Sequence, residues 1–179
     1  MWPTAMKELG VAGKIAESER AGEGRALARL SDLGWGSRLR PLLTGPDTDV
    51  PDDVVAAVVQ VLATWGWEQR PVAVVALPSV SRPLLVGSLA SKLSQVGRLP
   101  LLGTLDATRP TAGARSNSAQ RLRTVHGAFA VPAGWELPTG PVLLVDDRTD
   151  TGWTLTEAAA LLRRAGATAV LPLVLAVDG

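Results

Sequence analysis

The chain has 179 residues, enough for one domain of ordinary size or for one domain with a short extension. It carries 18 Lys and Arg against 17 Asp and Glu, and the net charge of +1 excludes a strongly basic protein that binds nucleic acid through bulk charge. Cysteine is absent and His126 is the single histidine, which excludes disulfide scaffolds, cysteine nucleophiles, thiolate metal sites and His-rich metal sites.

The first 50 residues differ in pattern from the rest of the chain. They mix glycine with charge and contain two short stretches that we predict to be helical, 25–33 and 37–43, separated by a Gly-Trp-Gly stop. We interpret residues 1–50 as a helical extension packed on a core domain at 51–179. The sequence shows no apolar targeting segment and no apolar run approaching about 18 residues, so we expect a cytoplasmic protein without membrane contact.

From residue 51 onward, strands and helices alternate. The strand candidates are short, continuous apolar runs, which are typical of strands buried on both faces, at 71–77, 99–105, 141–145 and 169–176, with a shorter candidate at 129–131. The helical patterns cover 51–64, 82–96, 119–125 and 154–165, and residues 106–118 form a long loop. This alternation predicts an α/β fold with a parallel sheet and helices on both faces.

The segment 142–154 carries the clearest chemical signal. Four apolar residues are followed by Asp146 and Asp147, which we place at the carboxyl end of a buried strand, where open α/β sheets bind their ligands. A short loop with Thr151 and Gly152 then leads into a helix. Backbone N–H groups of such a loop bind phosphate, whereas the neighbouring carboxylates suit sugar hydroxyls or magnesium. The pattern therefore predicts a site for a ribose that bears a 5′-phosphate.

This segment resembles the phosphoribosyl-pyrophosphate (PRPP) signature of type I phosphoribosyltransferases, and the resemblance implies their parallel-sheet core. It implies that Asp146 and Asp147 hold the ribose hydroxyls and that PRPP is bound together with Mg²⁺. The 5′-phosphate would be bound by the loop and the first helical turn, at Asp150, Thr151, Gly152, Trp153 and Thr154.

Three residues set this segment apart from most members of the family. Asp150 stands where purine-salvage members carry an acid that faces the base, which makes it the candidate catalytic residue. A loop-capping role is the alternative for Asp150. Arg148 and Trp153 depart from the family pattern, because Arg148 is charged where an apolar residue is usual and Trp153 is bulky for its place.

Two further segments resemble parts of the same family. In 78–83 (PSVSRP), Ser79, Ser81 and Arg82 would form the pyrophosphate loop, with a capped helix start as the alternative. Residues 106–126 hold four arginines against one aspartate, a local charge of +3, and correspond to a mobile loop that closes over pyrophosphate. The arginines of that loop are Arg109, Arg115, Arg121 and Arg123. We interpret His126 as a surface or helix-end histidine.

The resemblance extends to two more specific groups. Residues 120–129 (QRLRTVHGAF) are similar to the E-R-x-x-N-x-x-G-A-F run of ComF-type phosphoribosyltransferase-like proteins of DNA uptake, with Gln120 and Thr124 replacing the Glu and the Asn. The tryptophan-containing elements, GWGSRLR and WGW, together with SVSRP and DTGWT, resemble the C-terminal region of actinobacterial RecQ-family ATP-dependent DNA helicases. The chain has no G-x-x-x-x-G-K-[ST] loop, so the helicase motor itself is not in it.

Three functions remain open from the sequence. The first is a module that binds PRPP or a nucleotide 5′-phosphate and serves a RecQ-type helicase in DNA repair or recombination, with DNA and the helicase domains as partners. The second is a catalytically active, Mg²⁺-dependent phosphoribosyltransferase that acts on a nucleobase. The third is a structural docking domain in which Trp35, Trp65 and Trp67 pack in an interdomain surface.

Overall fold

The computed structural model describes residues 15–111 and 118–178, and within them the helices and strands alternate as follows. In chain order they are a single 3-10 turn (Glu17–Glu19), β1 (Arg25–Arg29), α1 (Trp35–Thr44), α2 (Asp52–Ala63), β2 (Ala73–Ala76), α3 (Pro83–Gly97), β3 (Leu101–Thr104), β4 (Asp106–Ala107), α4 (Ser118–Val125), β5 (Phe129–Ala130), β6 (Pro141–Thr149), α5 (Trp153–Arg164) and β7 (Ala169–Val177). In this part of the chain, no helix combines the length and the apolar character that crossing a membrane requires.

The main sheet has five strands in the order β1-β7-β6-β2-β3, and every neighbouring pair in it is parallel. β4 and β5 form a separate antiparallel pair. The predicted α/β fold with a parallel sheet is thus confirmed. The three central strands β2, β6 and β7 contain continuous apolar runs of the sequence, because strands covered on both faces bury most of their side chains.

Alternating side chains of the central strands divide the interior into two layers. One layer packs the sheet against α1, α2 and α3, and the other packs it against α5. Val74, Leu143 and Val145 face the first layer, whereas Val75 and Leu144 face the second. Helices therefore cover both faces of the sheet, as the alternation of elements predicts.

The predicted helix at 25–33 is wrong, because the structure places the strand β1 there. β1 pairs in parallel with β7 and forms one edge of the sheet. Its sequence, RALAR, has high intrinsic helix propensity, but a stretch this short gains more from pairing with a neighbouring strand than from an isolated helical turn. The helix predicted at 37–43 is confirmed by α1, and the domain boundary at residue 50 stays a prediction.

The segment that connects α1 to α2 is hydrogen-bonded to α3. The carboxylate of Asp47 accepts hydrogen bonds from the N–H groups of Leu84 and Leu85, at 2.8 and 3.1 Å. Further along α3, Lys92 Nζ donates to the carbonyl oxygen of Val50 at 3.0 Å. The bonds to Asp47 fix the start of α3, which follows β2, and they satisfy N–H groups that the first turn of a helix leaves unpaired.

Candidate functional site

The sheet has a point at which consecutive crossovers leave in opposite directions. From β2 the chain passes through α3 to β3 on one side, and from β6 it passes through α5 to β7 on the other. β2 and β6 are neighbours in the sheet. The loops that follow them therefore diverge and leave a crevice beyond the strands' carboxyl ends, which is where open α/β sheets bind ligands.

A cleft of about 280 Å³ lies at this point. It is lined by residues from the loop after β2, from the 106–126 region and from the end of β6 with the start of α5: Pro78, Ser79, Val80, Ser81, Thr111, Arg121, Asp146, Asp147, Arg148 and Thr154. The structure thus brings together members of three separate segments that the sequence singles out. Thr111 and Arg148 are the polar lining residues that the sequence does not select as binding residues. Nothing in the local pattern distinguishes Thr111, and Arg148 stands out only as a departure from the family pattern.

The two acids lie inside a strand that is longer than predicted. β6 continues past the apolar run 141–145 to Thr149, because β7 pairs with it as far as that residue. On the other side its pairing with β2 ends at Val145. Asp146 and Asp147 therefore occupy the stretch of β6 that β2 no longer covers, and each is only 8% exposed.

The alternation of the strand directs the two carboxyl groups to opposite faces. Asp147 lies on the α3 side, where its Oδ2 is 4.0 Å from Nε of Arg82. Each acid also accepts a local backbone hydrogen bond at 2.8 Å, Asp146 from the N–H of Asp147 and Asp147 from the N–H of Arg148. The carboxylates are thus held in position before any ligand arrives.

Burial raises the pKa of the Asp146 carboxyl well above its usual value, and the neighbouring Asp147 carboxylate raises it further. The N–H group of Asp147 acts in the opposite direction through its hydrogen bond. The charged form of Asp146 is therefore disfavoured in the free protein. A ligand that donates hydroxyl hydrogen bonds or brings a cation stabilises that charged form, so this carboxyl group is poised for such a ligand.

The loop after β6 leads into α5 through a glycine. Gly152 is in the left-handed region, with φ of +76°, and precedes α5. A Cβ atom at this position meets no atom within 4 Å, so the backbone here faces open space. Asp150 and Thr151 are exposed, whereas Gly152 and Trp153 are half-buried. These four residues do not line the cleft themselves, but they connect Arg148 to Thr154, which do.

In the predicted pyrophosphate loop, the serines and the arginine differ in their position relative to the cleft. Ser79 and Ser81 line the cleft. Arg82 does not, because its Nη1 donates to the carbonyl oxygen of Gly45 at 3.0 Å and its Nε lies beside Asp147. The N–H of Arg82 donates to Ser79 Oγ at 3.0 Å, as in a capped helix start. Arg82 thus ties the loop to Asp147 and to the α1–α2 connection.

The arginines of residues 106–126 also differ in whether they line the cleft. Arg121, on α4, lines the cleft. Arg109 instead donates through Nη2 to the carbonyl oxygens of Arg123 and His126 at the end of α4. Arg123 is exposed on α4 and is not part of the cleft lining. Arg115 lies outside the described residues.

Comparison with known proteins finds similarity among solved structures. No family model matches the chain, and no curated protein sequence matches it. The crystal structure of a purine phosphoribosyltransferase from Pyrococcus horikoshii Ot3 is similar at a TM-score of 0.46 and 21% identity, over 70% of this chain and 71% of that one. None of these findings bears on the ComF-type or RecQ resemblance, which stays a prediction from the sequence.

Proposed function

We propose that the cleft binds a ribose 5-phosphate unit, presented by PRPP or by a nucleotide. The observation that carries this proposal is the convergence of Asp146, Asp147, Ser79, Arg121 and Thr154 in one cleft at the topological switch point. Carboxylates, hydroxyls and a guanidinium in one polar cleft suit the hydroxyls and phosphates of such a ligand.

Each part of the cleft suits one part of the ligand. Asp146 and Asp147 accept hydrogen bonds from the ribose hydroxyls, because ionised carboxylates are strong acceptors. The backbone of the Gly152 turn, the hydroxyl of Thr154 and the N-terminus of α5 bind the 5′-phosphate. Arg121 and the serine loop after β2 remain for a second anionic group such as a diphosphate.

Magnesium fits this donor set only when it arrives with the ligand. Among the described residues, no group of three or more His, Cys, Asp or Glu side chains could hold a metal ion. Asp146 and Asp147 are two carboxylates, and Mg²⁺ is commonly bound by one or two carboxylates together with substrate phosphates and water. When bound, Mg²⁺ neutralises part of the charge of a diphosphate.

Binding is the primary activity in this proposal, and transfer of the phosphoribosyl group to a nucleobase is the second candidate. Asp150, the candidate catalytic acid, is exposed and does not line the cleft, which favours binding. The buried carboxyl pair and Arg121 favour transfer, because they provide acceptors and a cation at the proposed ribose and diphosphate positions. The accessory role in a RecQ-type helicase, with DNA and the helicase domains as partners, has the sequence resemblance as its support.

A purely structural docking role receives no support from the tryptophans. Trp65 is 8% exposed and stacks on Trp67 with ring centroids 4.3 Å apart. Arg25 lies over the ring of Trp65 at 5.5 Å. Trp35 and Trp67 are partly buried against the layer of α1, α2 and α3. These side chains are thus largely engaged within the chain itself.

Titration calorimetry tests the proposal with PRPP and ribose 5-phosphate, each with and without Mg²⁺. We expect micromolar binding of PRPP in Mg²⁺, weaker binding of 2-deoxyribose 5-phosphate than of ribose 5-phosphate, and no comparable binding of inorganic phosphate. The absence of heat with every one of these ligands would contradict the proposal. Release of pyrophosphate from PRPP on addition of a nucleobase would move transfer ahead of binding.

A further inference from the structure

Arg121 reaches the cleft from the short helix α4. α4 packs against α5, and its buried side chains include Leu122 and Val125. At its carboxyl end, Arg109 donates to the carbonyl oxygen of His126. The position of Arg121 therefore depends on how firmly this short helix is held against α5.

One pair of side chains joins α4 to α5 directly. Nδ1 of His126, the residue after α4, lies 3.2 Å from Oε1 of Glu157 on α5. The Glu157 side chain is 17% exposed and that of His126 is 40% exposed. Because Glu157 is three residues after Thr154, both lie on the same side of α5. One turn of α5 therefore carries both a lining residue of the cleft and the partner of His126.

We infer that His126 is a positioning residue: through Glu157 it fixes α4 against α5 and so sets Arg121 relative to Thr154. This inference rests on the proposed function for its effect on ligand binding, but the contact itself exists without a ligand. Among the described residues, His126 is not part of the cleft lining. It acts through Arg121, which lines the cleft.

Two arginines lie close to this pair. Arg109 donates to the carbonyl oxygen of His126. Arg164 of α5 lines a small pocket together with His126 and Glu157, and it pairs with Glu19 at 3.2 Å. Glu157 is the carboxylate that contacts the ring.

Hydrogen exchange tests the contact in the free protein. In Glu157→Gln, which removes the negative charge, we expect faster exchange of the amides of α4 than in the wild type. Glu136→Gln is the matched control, because Glu136 is exposed and has no partner among residues 15–111 and 118–178. Unchanged exchange of α4 in Glu157→Gln would overturn the inference, whatever the ligand measurements give.

A double-mutant cycle on PRPP affinity tests the route through Arg121. We expect His126→Phe to weaken binding by about 3-fold in the wild-type background at pH 6, as for a partly exposed ion pair. In the Arg121→Gln background the same change should have no further effect, since there is no arginine left to position. We also expect His126→Gln, which retains a hydrogen-bond donor, to restore part of the affinity.

Equal losses in the two backgrounds would show that His126 acts by another route and would overturn the inference. If the wild type binds no ribose 5-phosphate ligand, the proposed function fails. The exchange of α4 in Glu157→Gln then decides by itself whether His126 and Glu157 hold α4 against α5.

Discussion

The two helices that follow the adjacent strands β2 and β6 begin in opposite ways. At the start of α3, the carboxylate of Asp47 accepts hydrogen bonds from the N–H groups of Leu84 and Leu85. At the start of α5, the N-cap residue is Gly152, which has no side chain, and the space in front of it is open. In the described part of the chain, no side chain accepts a hydrogen bond from the N–H of Thr154.

The same physical property therefore serves two purposes. A helix N-terminus attracts an anion through its unpaired N–H groups and its dipole. The chain fills this position at α3 with its own carboxylate and leaves it accessible at α5, next to the buried pair Asp146 and Asp147. We propose that the first helix start stabilises the fold and that the second binds phosphate.

The largest expected effect comes from neutralising both acids beside α5, in the variant Asp146→Asn/Asp147→Asn. A hydrogen bond to a charged group contributes about 1.5–3 kcal/mol, so we expect the loss of two to weaken PRPP binding by at least about 100-fold. Calorimetry measures the change, with Glu136→Gln as the control. Binding within about 3-fold of the wild type, a difference of under 1 kcal/mol, would mean that the acids do not hold the ribose.

The buried Asp146 should also lower the stability of the free protein. Its pKa is raised on folding, so the folded state binds this proton more tightly than the unfolded state. The free energy of unfolding should therefore fall as pH rises from the ordinary aspartate range to the raised folded pKa. Over this range the free energy of unfolding falls by about 1.4 kcal/mol for each pH unit that separates the unfolded and folded pKa of Asp146. Asp146→Asn should remove this slope and be more stable than the wild type at neutral pH in urea titrations.

If the free energy of unfolding of the wild type does not change with pH between the ordinary aspartate range and neutral pH, the raised pKa of Asp146 is contradicted. The contrast with Asp47 is direct, because that carboxylate accepts hydrogen bonds from two helix N–H groups.

Gly152→Ala tests whether the start of α5 binds the phosphate. A side chain in the left-handed region costs about 1–2 kcal/mol, and the added methyl group occupies the open space where we place the phosphate. We expect about 10-fold weaker binding of ribose 5-phosphate. Gly87→Ala is the matched control, since Gly87 is inside α3 and a Cβ there also meets nothing within 4 Å.

That control should raise the free energy of unfolding by up to about 1 kcal/mol and leave the affinity unchanged. Equal effects of the two substitutions on affinity would remove the distinction between the two helices.

The smallest effect is expected at the start of α3. Asp47→Ala removes the acceptor for two N–H groups and should lower the free energy of unfolding by about 1 kcal/mol, as loss of a helix cap does. Chemical denaturation measures it. The affinity for ribose 5-phosphate should stay within about 2-fold of the wild type, under half a kcal/mol. A marked gain in phosphate affinity would show that the α3 terminus is an anion site that Asp47 blocks.

The parallel α/β arrangement and the core of the site could be predicted from the sequence because both depend on local patterns. Continuous apolar runs indicate strands covered on both faces, and the strand–acid–glycine–helix order of 142–154 places its polar groups at a strand end. The meeting of Ser79 and Ser81 with Asp146 then follows, since the carboxyl ends of neighbouring parallel strands share one edge.

What the sequence does not predict depends on contacts between distant residues. β1 is a strand because β7 is available to pair with it, and its own residues favour a helix. Arg109 resembles a ligand-binding arginine in sequence, yet it bonds carbonyl oxygens at the end of α4. Asp47 caps a helix that begins 36 positions later in the chain, a pairing that no local spacing reveals.

Backbone amide shifts in an NMR titration with ribose 5-phosphate measure directly which helix start binds phosphate. The prediction is that the amides of residues 151–155 shift strongly and saturably, whereas the amides of 84–86 at the start of α3 stay in place. Saturable shifts at 84–86 with 151–155 unmoved, or no saturable shift in either segment, would contradict the assignment of phosphate binding to α5.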